Sequence, residues 1–575
     1  MARGNRIGGL NMTKKILIVG GVAGGASVAA RVRRLDESAE IIMFDKGPHV
    51  SFSNCSLPYH LSGIVEESQE LVLMSPDKFK DRYNIEARVQ QEVIQINRDK
   101  KTITIKDLSS NKIYEEDYDK LVLSPGASPI RPNLEGIDKS NVFTVRNVVD
   151  IEKLNTYIKQ KGVQDIAVIG GGFIGVEVAE NLKLADYNVT LVEFANQVMA
   201  SFDYDMAQIL HKEMVDHGVK LILDDGLAKI SDGSITTNSG RKIDAQVVVL
   251  AIGVRPETSL AKDAGLEIGE TGAIKVDTNY LTSDKDIYAV GDAIEVYHRL
   301  LQKQTRLALA GPAQKQARVA ADHIYGKINR NIGVIGSSSI HLFNLNAAST
   351  GLNARTAELA GITNDYVYVM PGDKVGLMPD SNPIHFKLVY EYPTGRILGA
   401  QAIGKGNVDK RIDVIATLIT MNGTLEDLKD LELTYSPMLG TAKDVVNHAG
   451  LVGLNVLQGR YKEVKVSEVR ELVEDNAFII DAREKGEYNL GHLKNAVNIP
   501  LSEFRQRLDE IPQDQPVYIH CRTGQRSYNM VMALMNLGYE NVYNISGSYL
   551  GINLFEYFKD LVTGRDRIVT EYNFN

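Results

Sequence analysis

Ile166-Ala167-Val168-Ile169-Gly170-Gly171-Gly172-Phe173-Ile174-Gly175 is a compact apolar strand running straight into a glycine turn, and Val176 to Leu184 after it reads as a helix. That order lets a backbone approach a pyrophosphate closely and aims the free N–H groups of a helix N-terminus at its charge. Gly170, Gly172 and Gly175 fill every glycine place of the dinucleotide fingerprint. The strand Val189 to Val192 ends in Glu193, eighteen residues after Gly175, where a carboxylate can bind the adenosine ribose hydroxyls. Phe194-Ala195 supplies no arginine for a 2′-phosphate, which favours NADH and leaves NADPH open.

The same pattern occurs earlier in the chain. Lys15 to Val19 is an apolar strand, Gly20-Gly21-Val22-Ala23-Gly24-Gly25-Ala26 is the turn, and Ser27 to Leu35 reads as a helix. Gly20 and Gly25 match the first and third glycines, with Val22 where the second is expected. Ile41 to Phe44 reads as the second strand and ends in Asp45, twenty residues after Gly25. The plainer reading is a generic strand-to-helix turn followed by a surface acid. Two such units about 150 residues apart argue for two dinucleotides held at once, as electron transfer from a nicotinamide to a flavin requires.

A chain of 575 residues is too long for one hydrophobic core, and its length implies about three to four domains. The net charge of -9 argues against a general nucleic-acid or anionic-membrane surface. No apolar run approaches the ~20 residues of a membrane span, and the N-terminal residues lack an apolar signal region, so a cytoplasmic protein is expected. Met1 to Asn11 is short, polar and rich in Gly and Arg, and residues 1–12 are expected to be a disordered tail or a start-site artefact. Cys55 and Cys521 are the only two cysteines, which excludes a disulfide framework and a Cys-rich metal site. No metal is expected.

Further along, Val247 to Ala251 leads into Gly253-Val254-Arg255-Pro256, and Thr282 to Asp292 closes on a strand ending in Gly291-Asp292. Together with Leu123-Ser124-Pro125-Gly126-Ala127 and the two glycine turns, these stretches resemble the FAD-dependent pyridine nucleotide-disulfide oxidoreductases over residues 14 to about 330. The resemblance implies an α/β protein with two Rossmann-like domains, for FAD (13–120 and 255–330) and NAD(P)H (121–254). An α+β dimerisation domain (331–451) follows. It puts Asp292 on the flavin ribityl chain and Gly126, Gly253 and Gly291 among the cofactor-binding residues.

Just beyond the first nucleotide unit lies Ser51-Phe52-Ser53-Asn54-Cys55-Ser56-Leu57-Pro58-Tyr59. Many members of the resembled family carry a Cys-x-x-x-x-Cys dithiol, but the residue five after Cys55 is His60, so an internal disulfide is excluded. A single cysteine must alternate between a thiolate and a mixed disulfide, persulfide or sulfenic acid. A neighbouring oxidised flavin and a helix N-terminus would raise its thiolate fraction. The competing reading is a small buried hydrophobe.

Ser51 to Tyr59 resembles the single-cysteine branch, the coenzyme A-disulfide reductases and related NADH-dependent CoA-persulfide reductases, whose redox centre is this cysteine. By that resemblance Ser27, Arg31, Arg34, Ser51 and Asn54 line a CoA site, the arginines suiting a phosphorylated ADP moiety. A basic CoA-gripping residue of some relatives aligns with Tyr83, leaving Arg82 and Lys78 as substitutes. Peroxide- and oxygen-reducing members use a histidine on the first glycine turn, and Val22-Ala23-Gly24 offers none.

In the third module, strands are expected at Tyr366 to Met370, His385 to Tyr390 and Ile397 to Ile403, and an amphipathic helix at Asp409 to Met421 with Ile412, Ile415, Ala416 and Ile419 on one face. The resemblance makes this the dimerisation domain of a homodimer that completes the other subunit's active site. It places Tyr435, a proton donor to a leaving thiolate, and Lys443 near flavin and CoA. Leu377-Met378-Pro379 lacks a tyrosine that CoA-disulfide reductases often carry, which leaves room for a persulfide. Tyr366 and Tyr368 read as packing residues.

After a connection at 452–462, Phe478 to Ile480 reads as a strand ending in Asp481, and Val517 to His520 runs into Cys521-Arg522-Thr523-Gly524-Gln525-Arg526-Ser527 and a helix. This layout resembles a single rhodanese domain (463–575). The loop from Cys521 to Arg526 can wrap its N–H groups around the sulfur, while the helix dipole, Arg522 and Arg526 stabilise a thiolate, persulfide or bound anion. Cys-based phosphatases need one residue more between Cys and Arg, so sulfane-sulfur transfer is favoured. His492 and His520 read as fold-stabilising.

The reaction these resemblances imply is NADH reduction of FAD, then of a sulfur species at Cys55, with Cys521 handling sulfane sulfur. CoA persulfide, polysulfide or CoA disulfide is the substrate. The alternatives are a thiol-redox sensor or docking protein with a sulfurtransferase module, or an NADH oxidase or peroxidase.

Overall fold

The structure, a computed structural model, describes residues 13–574, so the expected tail at 1–12 lies outside the described residues. These residues form two compact units. One comprises the chain up to Gln164 with Lys229–Gly233 and Ala245–Val334; the other comprises Asp165–Ala228, Ser234–Asp244 and the chain from Ile335 onward.

The first unit is built on a parallel sheet in the order Ile287–Ala289, Lys120–Leu123, Lys15–Val19, Glu40–Asp45, Glu86–Val89. Both faces are covered, which is why its strands are continuously apolar. Ile16 and Ile18 bury against Val28, Ala29 and Val32 of the helix Ala23–Leu35 and Ala317, Ala320 and Ala321 of the helix Ala310–Ile324. Leu17 and Val19 point the other way, toward Ile103 and Ile105 of an antiparallel meander. The small alanines let the helices sit close to each other and to the sheet.

Two expected domain boundaries fall inside strands. Position 121 lies within Lys120–Leu123, whose Leu121, Val122 and Leu123 are core residues of the first sheet. Position 255 lies within Val254–Pro256, which pairs antiparallel with Ala127–Pro129. The chain thus leaves and re-enters the first sheet region through a two-stranded ribbon, a pairing invisible in either segment alone.

Among the described residues the second unit holds the antiparallel pair Ser234–Thr237 and Lys242–Asp244 and strands of three larger sheets. Asp165–Ile169, Asn188–Val192 and Lys220–Ile222 run parallel. Ser337–Leu342, Leu345–Gly351, Ile397–Gly404, His385–Glu391 and Asn364–Val369 form an antiparallel sheet in that order. The helix Val408–Thr420 buries Ile412, Ile415, Leu418 and Ile419, whereas Ala416 is half-buried. The last sheet is parallel, in the order Lys462–Val464, Val542–Ile545, Val517–His520, Phe478–Asp481, Ala496–Asn498.

The connection expected at 452–462 is mostly helical. Val445–Leu457 is one helix, capped by Asp444, and its Val452 and Val456 pack against the core around Tyr461, Ile480 and Ile519 of the last sheet. That apolar stripe is why the segment does not behave as a linker. Tyr366 lies between Lys387, with Nζ 3.7 Å from the ring centroid, and Lys465, at 4.4 Å. Tyr368 is buried, hydrogen-bonded to His385 Nδ1 at 2.7 Å, and lies where a side chain on Gly547 or Gly551 would touch it.

Candidate functional site

The two glycine turns are locked by their own backbones. Gly20 has φ +93°, and a Cβ there would lie 2.0 Å from the Ser124 carbonyl oxygen; a Cβ on Gly25 would lie 1.8 Å from the Gly20 oxygen. The helix begins at Ala23, earlier than the expected Ser27, because the turn closes this tightly. Val22 has φ -97°, so no left-handed backbone calls for glycine at the second glycine place. In the second turn Gly170 has φ +108°, but Gly172 has φ -79° and open space where its Cβ would be. Nothing within the chain requires glycine at 172, which fits a group approaching from outside.

The same brace holds both turns. Asp45 accepts the Gly21 N–H at 3.0 Å and the Gly47 N–H at 2.8 Å; Glu193 accepts the Gly171 N–H at 2.5 Å and the Ala195 N–H at 2.7 Å. Each carboxylate therefore lies beside its turn with lone pairs to spare for ribose hydroxyls. The first helical N–H groups of Ala23–Leu35 and of Phe173–Leu184, which contains Gly175, have no carbonyl one turn back. Both turns fit the pyrophosphate of a dinucleotide.

Gly126 (φ +74°), Gly253 (φ +106°) and Gly291 (φ +83°) all take left-handed backbone. The Gly291 N–H donates to buried Gln316 Oε1 at 2.7 Å. Arg146 was not legible in the sequence: its Nη2 lies 2.6 Å from where a Gly126 Cβ would be. Burial raises the pKa of the Asp45 and Asp292 carboxyls, and the Arg146 charge opposes both shifts. A single arginine after the strand Val142–Thr144 carries no pattern; only the fold brings it near both acids.

Glu177, on the helix after the second turn, was also missed. Burial pushes its carboxyl up to about 7, and the Glu180 charge adds to the shift. The protonated form is favoured on folding, so this contribution to stability is complete below pH 4.5 and is lost as pH rises through about 7. Glu177→Gln should therefore raise unfolding stability by roughly 2–3 kcal/mol at about pH 8. Urea melts should show no such gain near pH 4.5.

Cys55 is exposed and neither cysteine is in a disulfide, so the buried-hydrophobe reading does not hold for Cys55. It lies in the short 3₁₀ turn Asn54–Ser56, not at the start of a longer helix, so the expected helix N-terminus is absent from its position. The segment is stitched to the first glycine turn: the Ser51 N–H, at φ +50°, donates to the Gly21 carbonyl at 2.8 Å. Leu57 and Pro58 anchor it in the core while Asn54 and Cys55 face out. His60 stands where a second cysteine would be, and its Nδ1–H donates to the Val65 carbonyl at 2.9 Å. Its Nε2 accepts from Asn155 Nδ2 at 3.0 Å.

Of the expected CoA-site residues, Ser27 is half-buried and Arg34 exposed, but Arg31 is ion-paired with Asp322 (Nη2 to Oδ1 2.6 Å). Lys78 and Arg82, on the helix Pro76–Tyr83, are exposed. Tyr435 and Lys443 are exposed too; Tyr435 precedes exposed Met438 and Leu439 and Lys443 precedes the capping Asp444.

Cys521 is 1% exposed. Its sulfur accepts the Gly524 N–H at 3.1 Å, with the Ser527 and Ser548 hydroxyls at 3.6 and 4.0 Å. The loop is held from behind by the Tyr549 N–H on the Cys521 carbonyl and the Leu550 N–H on the Arg522 carbonyl, each 3.0 Å. Burial keeps His520 neutral, and its Nδ1–H donates to the Cys521 carbonyl at 3.1 Å. Arg483 grips Asp481 at 2.6 Å and lies over the Tyr549 ring at 3.9 Å. The arginines differ: Arg526 is forked onto Glu487 at 2.6 and 2.8 Å, whereas the half-buried Arg522 side chain has no hydrogen bond or ion pair among the described residues.

Among the described residues no cluster of three or more His, Cys, Asp or Glu is poised to hold a metal ion, and no helix is long and apolar enough to cross a membrane. The family model described as pyridine nucleotide-disulphide oxidoreductase matches residues 14–317, more than half of the chain. This chain belongs to the pyridine nucleotide-disulphide oxidoreductase family. The dimerisation-domain model of that family matches residues 337–444 and a rhodanese-like domain model matches 465–554.

The coenzyme A disulfide reductase of Staphylococcus epidermidis is 33% identical over 437 residues, 76% of this chain and 99% of the relative. The crystal structure of reduced Bacillus anthracis CoADR-RHD is 43% identical with a TM-score of 0.92, covering 96% of this chain and 99% of that one. A NAD-dependent persulfide reductase from A. fulgidus is 33% identical with a TM-score of 0.89, covering 94% and 99%.

Proposed function

We propose that the chain is an FAD-dependent, NADH-using reductase of CoA persulfide, polysulfide or CoA disulfide that works through one redox cysteine, Cys55, with a rhodanese domain handling sulfane sulfur through Cys521. The observation that carries this reading is the exposed Cys55 on a turn tied to the first glycine turn, with His60 in the place of a second thiol. Likeness along nearly the whole chain to a CoADR-RHD and to a persulfide reductase supports it. FAD, when bound, supplies two-electron transfer between a nicotinamide and sulfur.

Gly20, Gly25 and Asp45, with Gly126, Arg146, Gly253, Gly291 and Asp292, would hold FAD; Gly170, Gly172, Gly175 and Glu193 would hold NADH. Ser27, Arg31, Arg34, Ser51 and Asn54, with Lys443 of a second copy, would bind CoA, Arg31 by exchanging its Asp322 partner. The Cys55 thiolate attacks the inner sulfur of CoA persulfide; a Cys55–CoA disulfide forms and hydrosulfide leaves with the electron pair of the broken S–S bond. Two-electron reduction of that disulfide returns the Cys55 thiolate and CoA, with Tyr435 of a second copy supplying the proton. We place the reaction in the cytoplasm and the active form as a homodimer, consistent with the dimerisation domain.

Anaerobically reduced enzyme mixed in turn with CoA persulfide, CoA disulfide and hydrogen peroxide tests this reading. Reoxidation should be fastest with the CoA sulfur species; much faster reoxidation by peroxide overturns it. Gly172→Ala should leave thermal stability within about 1 kcal/mol, since neither conformation nor space forbids a methyl group there. It should raise KM for NADH roughly tenfold by blocking close approach. An unchanged KM would remove Gly172 from the nucleotide site.

A further inference from the structure

We infer that Glu487 sets the donor specificity of the rhodanese loop, admitting a monoanionic alkyl persulfide and disfavouring dianionic thiosulfate; this rests on the proposed sulfur-handling role of Cys521. The loop carries two arginines, but they are not equivalent. Arg526 presents both terminal nitrogens to the Glu487 carboxylate, at 2.6 and 2.8 Å, in the fork geometry that neutralises a guanidinium most fully. Glu487 is itself fixed: it is the third residue of the short helix Lys485–Asn489, and its Oε2 also accepts the Glu484 N–H at 3.3 Å. The carboxylate is therefore part of the wall.

Arg522 is half-buried and its side chain makes no hydrogen bond or ion pair among the described residues, so of the two loop arginines it is the one without a direct carboxylate partner. Its neighbours include Glu487, Arg483 and Arg526, of which Arg483 is paired with Asp481, while Arg526 is paired with Glu487 and also reaches the Cys521 sulfur. Beside the sulfur the loop thus offers one net positive charge and a fixed carboxylate. A donor carrying one negative charge is matched by Arg522. A second negative charge would face Glu487 in a partly desolvated site, where like charges repel far more than in water.

Both donors undergo the same transfer. With a persulfide, the Cys521 thiol and R–S–S⁻ give Cys521–S–S⁻ and R–SH: the new S–S bond forms at Cys521, the donor S–S bond breaks, and the thiol proton goes to the leaving sulfur. With thiosulfate, the Cys521 thiol takes the outer sulfur, the donor S–S bond breaks, and the thiol proton leaves with sulfite as hydrogensulfite. Neither transfer consumes an external oxidant or reductant. Only the charge brought into the loop differs.

The test uses the full-length protein and thiocyanate formation from cyanide, with 2-hydroxyethyl persulfide, whose only charge is on the terminal sulfur, and thiosulfate as donors. For the unaltered protein, kcat/KM with thiosulfate should be at least about a hundredfold below that with the persulfide; a ratio within about threefold overturns the inference whatever the variants do. Glu487→Gln keeps the shape and a hydrogen-bonding oxygen for Arg526 and should raise kcat/KM for thiosulfate roughly tenfold or more, mostly through KM, with the persulfide value within about threefold. An unchanged donor ratio, or a parallel fall with both donors, would make Glu487 a brace for the loop and overturn the inference. No transfer by the unaltered protein from either donor would instead overturn the underlying sulfur-transfer reading.

Discussion

Cys55→Ser is expected to abolish NADH oxidation driven by CoA persulfide or CoA disulfide, lowering kcat by about a thousandfold or more. A serine hydroxyl is not ionised at neutral pH and forms no disulfide, so no conservative substitute exists for a thiolate that must be bonded to sulfur and then released. The loss should be chemical rather than structural. Cys55 is exposed on a turn held by Leu57 and Pro58, and surface changes of this kind usually shift stability by only about 0.5 kcal/mol. The variant should keep its flavin absorbance and its reduction by NADH in stopped-flow measurements, and fail only when the sulfur substrate is added. Retention of more than about a tenth of the sulfur-dependent rate would remove Cys55 from the chemistry.

Cys521→Ser should eliminate sulfane-sulfur transfer while sparing reduction of preformed CoA persulfide, whose rate should stay within about twofold. The substitution suits the site: the Gly524 N–H that points at the sulfur, 3.1 Å away, can donate to a hydroxyl oxygen, and the Ser548 hydroxyl still receives the residue's own N–H at 3.1 Å. The loop should therefore persist without its nucleophile. Thiocyanate formation and NADH consumption, followed on the same preparation, separate the two activities. Loss of CoA-persulfide reduction in this variant would mean that the two cysteines act in obligatory sequence, and the division of labour proposed above would fall.

The parts of this protein that could be read directly are those whose geometry is set within about thirty residues. A strand, a glycine turn, a helix and an acid at the end of the next strand have fixed spacing because the backbone allows few ways to build that unit. Both copies appear where expected, with Asp45 and Glu193 bracing their turns in the same way. The Cys521 loop was legible for a similar reason, since it runs directly from a strand into a helix, and its Gly524 N–H points at the sulfur. Only the end of the helix Val445–Leu457 falls in the connection expected at 452–462, and it is helical because its apolar stripe serves the last sheet, which lies later in the chain.

What stayed hidden is pairing between residues far apart in sequence. Arg31 stood out as a basic residue on a helix near a nucleotide turn, yet its partner Asp322 lies 291 positions away. His60 was legible as the absence of a cysteine, but its hold on Asn155, 95 positions on, needed the fold. Arg146 and Glu487 carried no local pattern at all, and they enter the two candidate sites only through which strands and helices pack together. Local spacing identified the family resemblance, both thiols and the nucleotide turns, because those are properties of a short backbone. Which charges near the thiols are already neutralised depends on distances between distant segments, and those exist only once the chain has folded.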